Sequence, residues 1–222
     1  MRQTDAINLK YCLLFHNISD TNLKDILNNT QYKIISINKP DIYCYAGDVC
    51  RHADIMLSGE MVARMTGLSG RQVEVIRIRQ GDLIAPCFIF SSIKSLPVEI
   101  ECIENSLIMR MSIDTFTDII SNNTDVCHNF LRIVSDIGAY LTTKIEFLSL
   151  MTIREKVVYF LRSEIKTQHS LKLTLDISRQ RMADSFAIQK FSLMRCLAEL
   201  ANKGIIKING KEIEIIDIER LK

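Results

Sequence analysis

The stretches SRQRMADSFAIQKFSLMRCLAEL, residues 178–200, and IKINGKEIEII, residues 206–216, decide the fold of the C-terminal third. The first divides into two short helices. Met182, Ala183 and Phe186 share one face of the earlier helix, and Leu193, Leu197 and Leu200 share one face of the later one; both faces can therefore close on a common core. In the second stretch the apolar residues alternate with period two around Asn209-Gly210, a strong short-range signal for a hairpin. Ahead of both, Val157, Val158, Phe160 and Leu161 supply a further helix, and a polar stretch, residues 166–172, leads into Leu173-Thr174-Leu175. Three helices followed by a hairpin predict a winged helix-turn-helix.

Working back towards the N-terminus, the texture changes twice. Phe130, Ile133, Ile137, Leu141, Lys144 and Leu148 recur at spacings of three and four, and residues 124–150 contain one Gly and no Pro. They predict a single helix of about 40 Å at 1.5 Å per residue. Its apolar stripe needs cover, either from a second copy across a twofold axis or from the chain's own preceding domain. Before residue 112, short runs rich in Ile, Val and Tyr alternate with turns at Gly47-Asp48, Ser58-Gly59-Glu60, Ser69-Gly70 and Gly81-Asp82. That spacing predicts an antiparallel roll. Within it, residues 73–78 and 98–103 read as strands, and the roll closes near Met111. Residues 9–29 predict one or two short helices capped by Ser19 or Asp20. The expected architecture is α+β, with a β-roll over residues 1–123, a dimerisation helix over 124–150 and a winged helix-turn-helix over 151–222.

Charge is distributed unevenly. Residues 1–150 hold 14 Lys and Arg against 17 Asp and Glu, a net charge of −3; residues 151–222 hold 14 against 9, a net charge of +5. The basic excess lies in the helix-turn-helix third, as a phosphate-binding surface requires, although a solvated basic face would give the same count. No run of eighteen apolar residues occurs, and the N-terminus lacks the apolar core of a signal peptide, so a cytoplasmic protein without membrane attachment is expected. The seven cysteines are scattered without a C-x-x-C pair, which fits reduced thiols better than a disulfide framework.

A recognition helix seals one side and presents polar donors from the other, near its N-terminus, to base edges. Gln189, Lys190, Ser192 and Arg195 meet that requirement, because Lys or Arg can reach guanine and Gln can pair with adenine. Ser178, Arg179, Gln180, Lys207 and Lys211 flank the same helix pair, and Ser178, Arg179, Lys207 and Lys211 are candidates to hold phosphates. Double-stranded DNA with inverted-repeat half-sites is the expected partner, bound by a homodimer whose seam is Phe130, Ile133, Ile137, Leu141 and Leu148.

These residues carry a resemblance. The order of β-roll, long helix, Ser178-Arg179-Gln180, Lys190, Arg195 and Gly210-Lys211, with Ala46-Gly47-Asp48, Ser58-Gly59-Glu60 and Gly81-Asp82 in the roll, is similar to the Crp/Fnr family of bacterial regulators. LIAPCFIF at residues 83–90, FLSLMTIREK at 147–156 and NKGII at 202–206 resemble its anaerobic branch governing nitrosative-stress genes. The resemblance implies a cyclic-nucleotide-binding-like roll, transcriptional control as activator or repressor, and RNA polymerase as a further partner. Departures bear on the ligand. Family members that bind cyclic AMP carry a Glu and an Arg-Ser pair where Ala85-Pro86 and Leu96-Pro97 stand here, so no cation is in place for the phosphate. Cys12 stands alone, where an iron-sulfur cluster needs grouped thiolates. Phe191 stands where the family carries a polar residue, and Ala187 where its turn often has Gly. The branch includes haem-based sensors of nitric oxide, which singles out Cys127-His128 at the start of the long helix as an effector candidate, against the plainer reading of an exposed His beside a buried Cys. Cys50 or Cys87 could instead sense redox directly. A cupin-like metalloenzyme is the rival from another class, but His52 is the only histidine of the β-region. A nucleotide-binding module acting on a protein partner is the other.

Overall fold

The computed structural model describes residues 9–67, 70 and 72–221, and the expected turn residue Ser69 lies outside them. The chain forms two compact units, Met1–Tyr140 and Leu141–Lys222.

In the N-terminal unit a 3-10 turn, Leu13–Phe15, precedes helix α1, Asp20–Asn28. Ser19 starts α1, its hydroxyl accepting from the Asn22 backbone N–H. Eight strands follow: β1 (Lys33–Ile37), β2 (Ile42–Cys44), β3 (His52–Ser58), β4 (Glu60–Thr66), β5 (Gln72–Arg79), β6 (Leu83–Ile84), β7 (Glu99–Cys102) and β8 (Ser106–Ser112). They pair antiparallel in two four-stranded sheets, ordered β1-β8-β3-β6 and β2-β7-β4-β5. Met56, Ile55, Ile108 and Met109 from one sheet and Met61 and Ile100 from the other belong to a single buried cluster. The predicted roll is therefore present, and its turns explain themselves. At Gly59, φ is +91° and a Cβ would collide with Ser106 Oγ and the Asn105 carbonyl oxygen, so only glycine fits.

Between β6 and β7 lies a short helix, α2 (Pro86–Ile89), entered through Ala85 in a left-handed conformation, φ 50° and ψ 44°. After β8, Ser112 caps α3 (Ile113–Asn122), and α4 runs unbroken over Thr124–Ser149. The expected long helix thus forms, but its stripe is divided. Val126 and Phe130 are buried in the N-terminal cluster, with Ile133 and Val134 packed on it. Phe130 meets Phe116 and Phe90 edge to face at centroid distances of 5.3 and 5.6 Å. Asn129 donates to the Leu14 and His16 carbonyls, which ties α4 to the segment ahead of α1.

The C-terminal unit takes in the last residues of α4, then α5 (Ile153–Gln168), β9 (Lys172–Thr174), α6 (Arg179–Ser185), α7 (Lys190–Asn202), β10 (Ile206–Asn209) and β11 (Glu212–Ile215). A reciprocal capping box starts α5: the Glu155 N–H donates to Thr152 Oγ1, and the Thr152 N–H donates to Glu155 Oε2. Met182 and Ala183 of α6, Leu193, Leu197 and Leu200 of α7, and Val157 and Leu161 of α5 close one core with Leu173 and Ile213. Every inward residue predicted for the two short helices is buried. The three-stranded sheet is ordered β10-β11-β9. Its hairpin pairs Asn209 with Glu212, so the two-residue loop is Gly210-Lys211. A positive φ at Gly210 alone is the type II′ pattern, which suits the twist of the flanking strands. Among the described residues no helix is long and apolar enough to cross a membrane.

Candidate nucleic-acid interface

Helices α6 and α7 are joined by a turn whose geometry fixes the candidate residues. Ser178 caps α6 by accepting from the Arg181 N–H at 3.1 Å. At the far end the Ala187 N–H donates to Asp184 and the Ile188 N–H to Ala183. Ala187 takes φ 54°, the left-handed value for which glycine is the usual choice. Gln189 then caps α7 through backbone geometry alone, leaving its side chain exposed. Lys190 and Arg195 are exposed on the same helix and Ser192 is half-buried; Leu193, Cys196, Leu197 and Leu200 hold the opposite side in the core.

Not all the predicted phosphate contacts are equally available. Ser178 and Gln180 are exposed, although the Gln180 amide donates to Asp184 at 2.8 Å. The half-buried Arg179 donates to the Gly210 carbonyl at 3.1 Å, fastening the start of α6 to the wing, and burial lowers its pKa from the usual arginine value. Lys211 is exposed in the wing loop; Lys207 is exposed on β10, directly across from Glu214, which also meets Lys172 at 3.7 Å. Arg195 lies 3.7 Å from Glu199 one turn on, a solvated pair that costs little to separate.

Two arrangements escaped the sequence reading. Lys156 is buried, and its amine donates to the Leu148 carbonyl at 3.0 Å and the Phe186 carbonyl at 3.2 Å, pinning the end of α4 to the end of α6. In the N-terminal unit Asp54 is wholly buried, accepting from the Arg110 guanidinium at 2.6–3.0 Å and from the Tyr43 hydroxyl at 2.6 Å. Burial, reinforced by the Asp54 charge, pushes the Tyr43 phenol well above its ordinary range. An acid inside the apolar run of β3 was the one available signal.

Ala85 and Leu96, which stand at the nucleotide-clamping positions of the resemblance, line a cavity of about 320 Å³ together with Tyr43, Asp48, His52 and Arg110. Arg110 is engaged by Asp54, and burial and nearby Arg110 hold His52 below the usual histidine value. His128 is exposed and Cys127 half-buried on α4, and neither belongs to that cavity wall. Among the described residues no group of three or more His, Cys, Asp or Glu is placed to hold a metal ion. Burial pushes the Cys12 thiol up to about 12 and the Cys44 thiol to about 11, and raises those of Cys50 and Cys87 as well.

A helix pair with an exposed polar N-terminal face, a hairpin wing beside it and an antiparallel roll ahead of it define a winged helix-turn-helix protein with an N-terminal β-roll. Residues 155–222 match the Crp-like helix-turn-helix domain. The chain is also similar to three solved structures. The c-di-GMP responsive global regulator CLP of Xanthomonas campestris has a TM-score of 0.70 at 14% identity, over 89% of this chain and 99% of that one. A CooA mutant from Carboxydothermus hydrogenoformans has 0.69 at 17%, over 91% and 95%. FixK2 from Bradyrhizobium japonicum has 0.62 at 16%, over 86% and 96%. At these identities the likeness is one of fold. A comparison with curated protein sequences gave no match. Residues 155–222 thus carry a Crp-like helix-turn-helix domain, and the chain as a whole shares the fold of these three solved proteins.

Proposed function

We propose that the protein is a homodimeric, sequence-specific DNA-binding regulator that responds to a signal other than cyclic AMP. The observation that carries the reading is α7: a helix sealed on one side that offers Gln189, Lys190, Ser192 and Arg195 from its N-terminal half, beside a wing carrying Lys211. Lys190 and Arg195 would meet base edges, with Ser178, Gln180 and the wing lysines against phosphates. RNA polymerase and a cytoplasmic setting follow from the same reading.

For the dimer we favour a seam one edge over from the stripe first expected. Leu131, Gly138 and Ile145 repeat every seven residues along α4, as do Val134, Leu141 and Leu148; together they give the alternating three-four spacing of a coiled coil. Leu131 is 55% exposed and Ile145 65%. A Cβ on Gly138 would meet nothing within 4 Å, so a second helix has room to approach. Phe130 and Ile133 serve the N-terminal core instead; Val134 and Leu148 are partly buried against the N-terminal and C-terminal clusters, so Leu131 and Ile145 are the exposed apolar members of the seam.

The replacement of clamping residues by Ala85 and Leu96 supports a ligand other than cyclic AMP. Haem-bound nitric oxide, with Cys127 and His128 as the candidate residues, comes only from the resemblance. Direct redox sensing at Cys50 or Cys87 is disfavoured because burial lowers their thiolate fraction at neutral pH. Bound signal would bias the helix pairing and so the affinity for an inverted repeat.

The test replaces Lys190 and Arg195 together with Ala. The exposed positions predict an unchanged fold and a loss of sequence-specific affinity of roughly a hundredfold, measured by titration against the selected duplex at fixed salt. Unchanged specific affinity would remove α7 as the reading helix.

A further inference from the structure

The departure at Phe191 gains a use once its exposure is known. Phe191 is 74% exposed and Met194 43%, and they lie three residues apart on α7. With Arg195 and Ala198 they share one exposed face, opposite the buried Leu193, Leu197 and Leu200. Single apolar residues on a surface need no partner. These two are neighbours, however, and they lie in the N-terminal half of the helix whose first turn also carries Lys190. A helix-turn-helix brings that half to the base edges, and Lys190 and Arg195 give the face the sign that suits DNA. In the major groove the base pairs present donors, acceptors and one methyl group, the 5-methyl of thymine, which apolar side chains contact.

Building on the DNA-binding reading above, we propose that Phe191 reads the 5-methyl group of a thymine in each operator half-site, with Met194 forming the other wall of the contact. The ring and the methyl exclude water from each other, while Lys190 and Arg195 address neighbouring groups. Hydrophobic burial of one methyl group corresponds to roughly fourfold in affinity. A dimer on two half-sites would therefore gain roughly fifteenfold from the pair, on the same basis. An aromatic residue here narrows the choice of base at one position without making a hydrogen bond to it.

The experiment begins with the sequence that the wild-type protein selects from random duplexes. Each thymine of that site is replaced in turn by deoxyuridine, which removes the methyl group and leaves the pairing edge intact. One thymine per half-site should weaken wild-type binding roughly fourfold when replaced. Phe191→Ala should bind the thymine and deoxyuridine duplexes alike. That variant should keep its fold, because the side chain is exposed and outside the core cluster, and its far-UV circular dichroism checks this. A selected sequence whose thymines tolerate deoxyuridine, or whose methyl dependence persists in Phe191→Ala, overturns the proposal and leaves the DNA-binding reading standing. If the wild type selects no sequence, the DNA-binding reading fails, and this inference fails with it.

Discussion

At the residue scale, Asp54 is an acid held inside the buried run of β3 and paired with Arg110. It sits in β3 among Ala53, Ile55 and Met56, all buried, and its charge is tolerated only because Arg110 and Tyr43 satisfy it from β8 and β2. Removing one partner of such a pair strands the other charge in low dielectric. Asp54→Ala is expected to destabilise the protein by about 3 kcal/mol or more in urea unfolding, and Asp54→Ala with Arg110→Met to recover much of that loss. A single variant as stable as wild type would show the network to be dispensable. The inward residues of α6 and α7 were legible, because helical spacing fixes the face a side chain occupies. The partners of Asp54, Lys156 and Arg179 were not, since each contact joins positions distant in the chain: Arg110, Phe186 and Gly210.

At the scale of elements, α4 spans Thr124–Ser149 against the expected 124–150, while the surface its stripe packs on was not fixed by spacing. An apolar stripe that spans more than one edge of a helix can serve two surfaces, and spacing does not say which edge each surface takes. Phe130 and Ile133 go to the chain's own core, whereas Leu131 and Ile145 stay exposed. The hairpin shows the same kind of limit: Asn209-Gly210 announced a tight turn, but the register places the loop one residue later, at Gly210-Lys211. If the exposed edge of α4 is the dimer seam, Ile145→Asp places two like charges across the twofold axis. Sedimentation should then show a monomer where wild type sedimentates as a dimer, with Ile137→Asp, which lies off the seam, less disruptive. Equal dimerisation by Ile145→Asp and wild type would move the interface elsewhere.

At the scale of the whole molecule, the charge distribution follows the division into two units. The basic excess of +5 in residues 151–222 lies in the unit with the Crp-like domain, and the acidic remainder in the unit with the roll. Architecture was legible because turn residues, long helical period and hairpin alternation each extend over many positions. The signal was not, because spacing along the chain does not tell which side chains of separate strands meet, as those around the cavity beside Ala85 and Leu96 do. Selection of duplexes from a random pool at fixed salt tests DNA reading by the helix pair and its dimer most directly. Recovery of one inverted repeat, with half-sites about one helical turn apart, is the predicted result. Uniform weak binding to all duplexes, with no sequence enriched and with the protein dimeric, would contradict it.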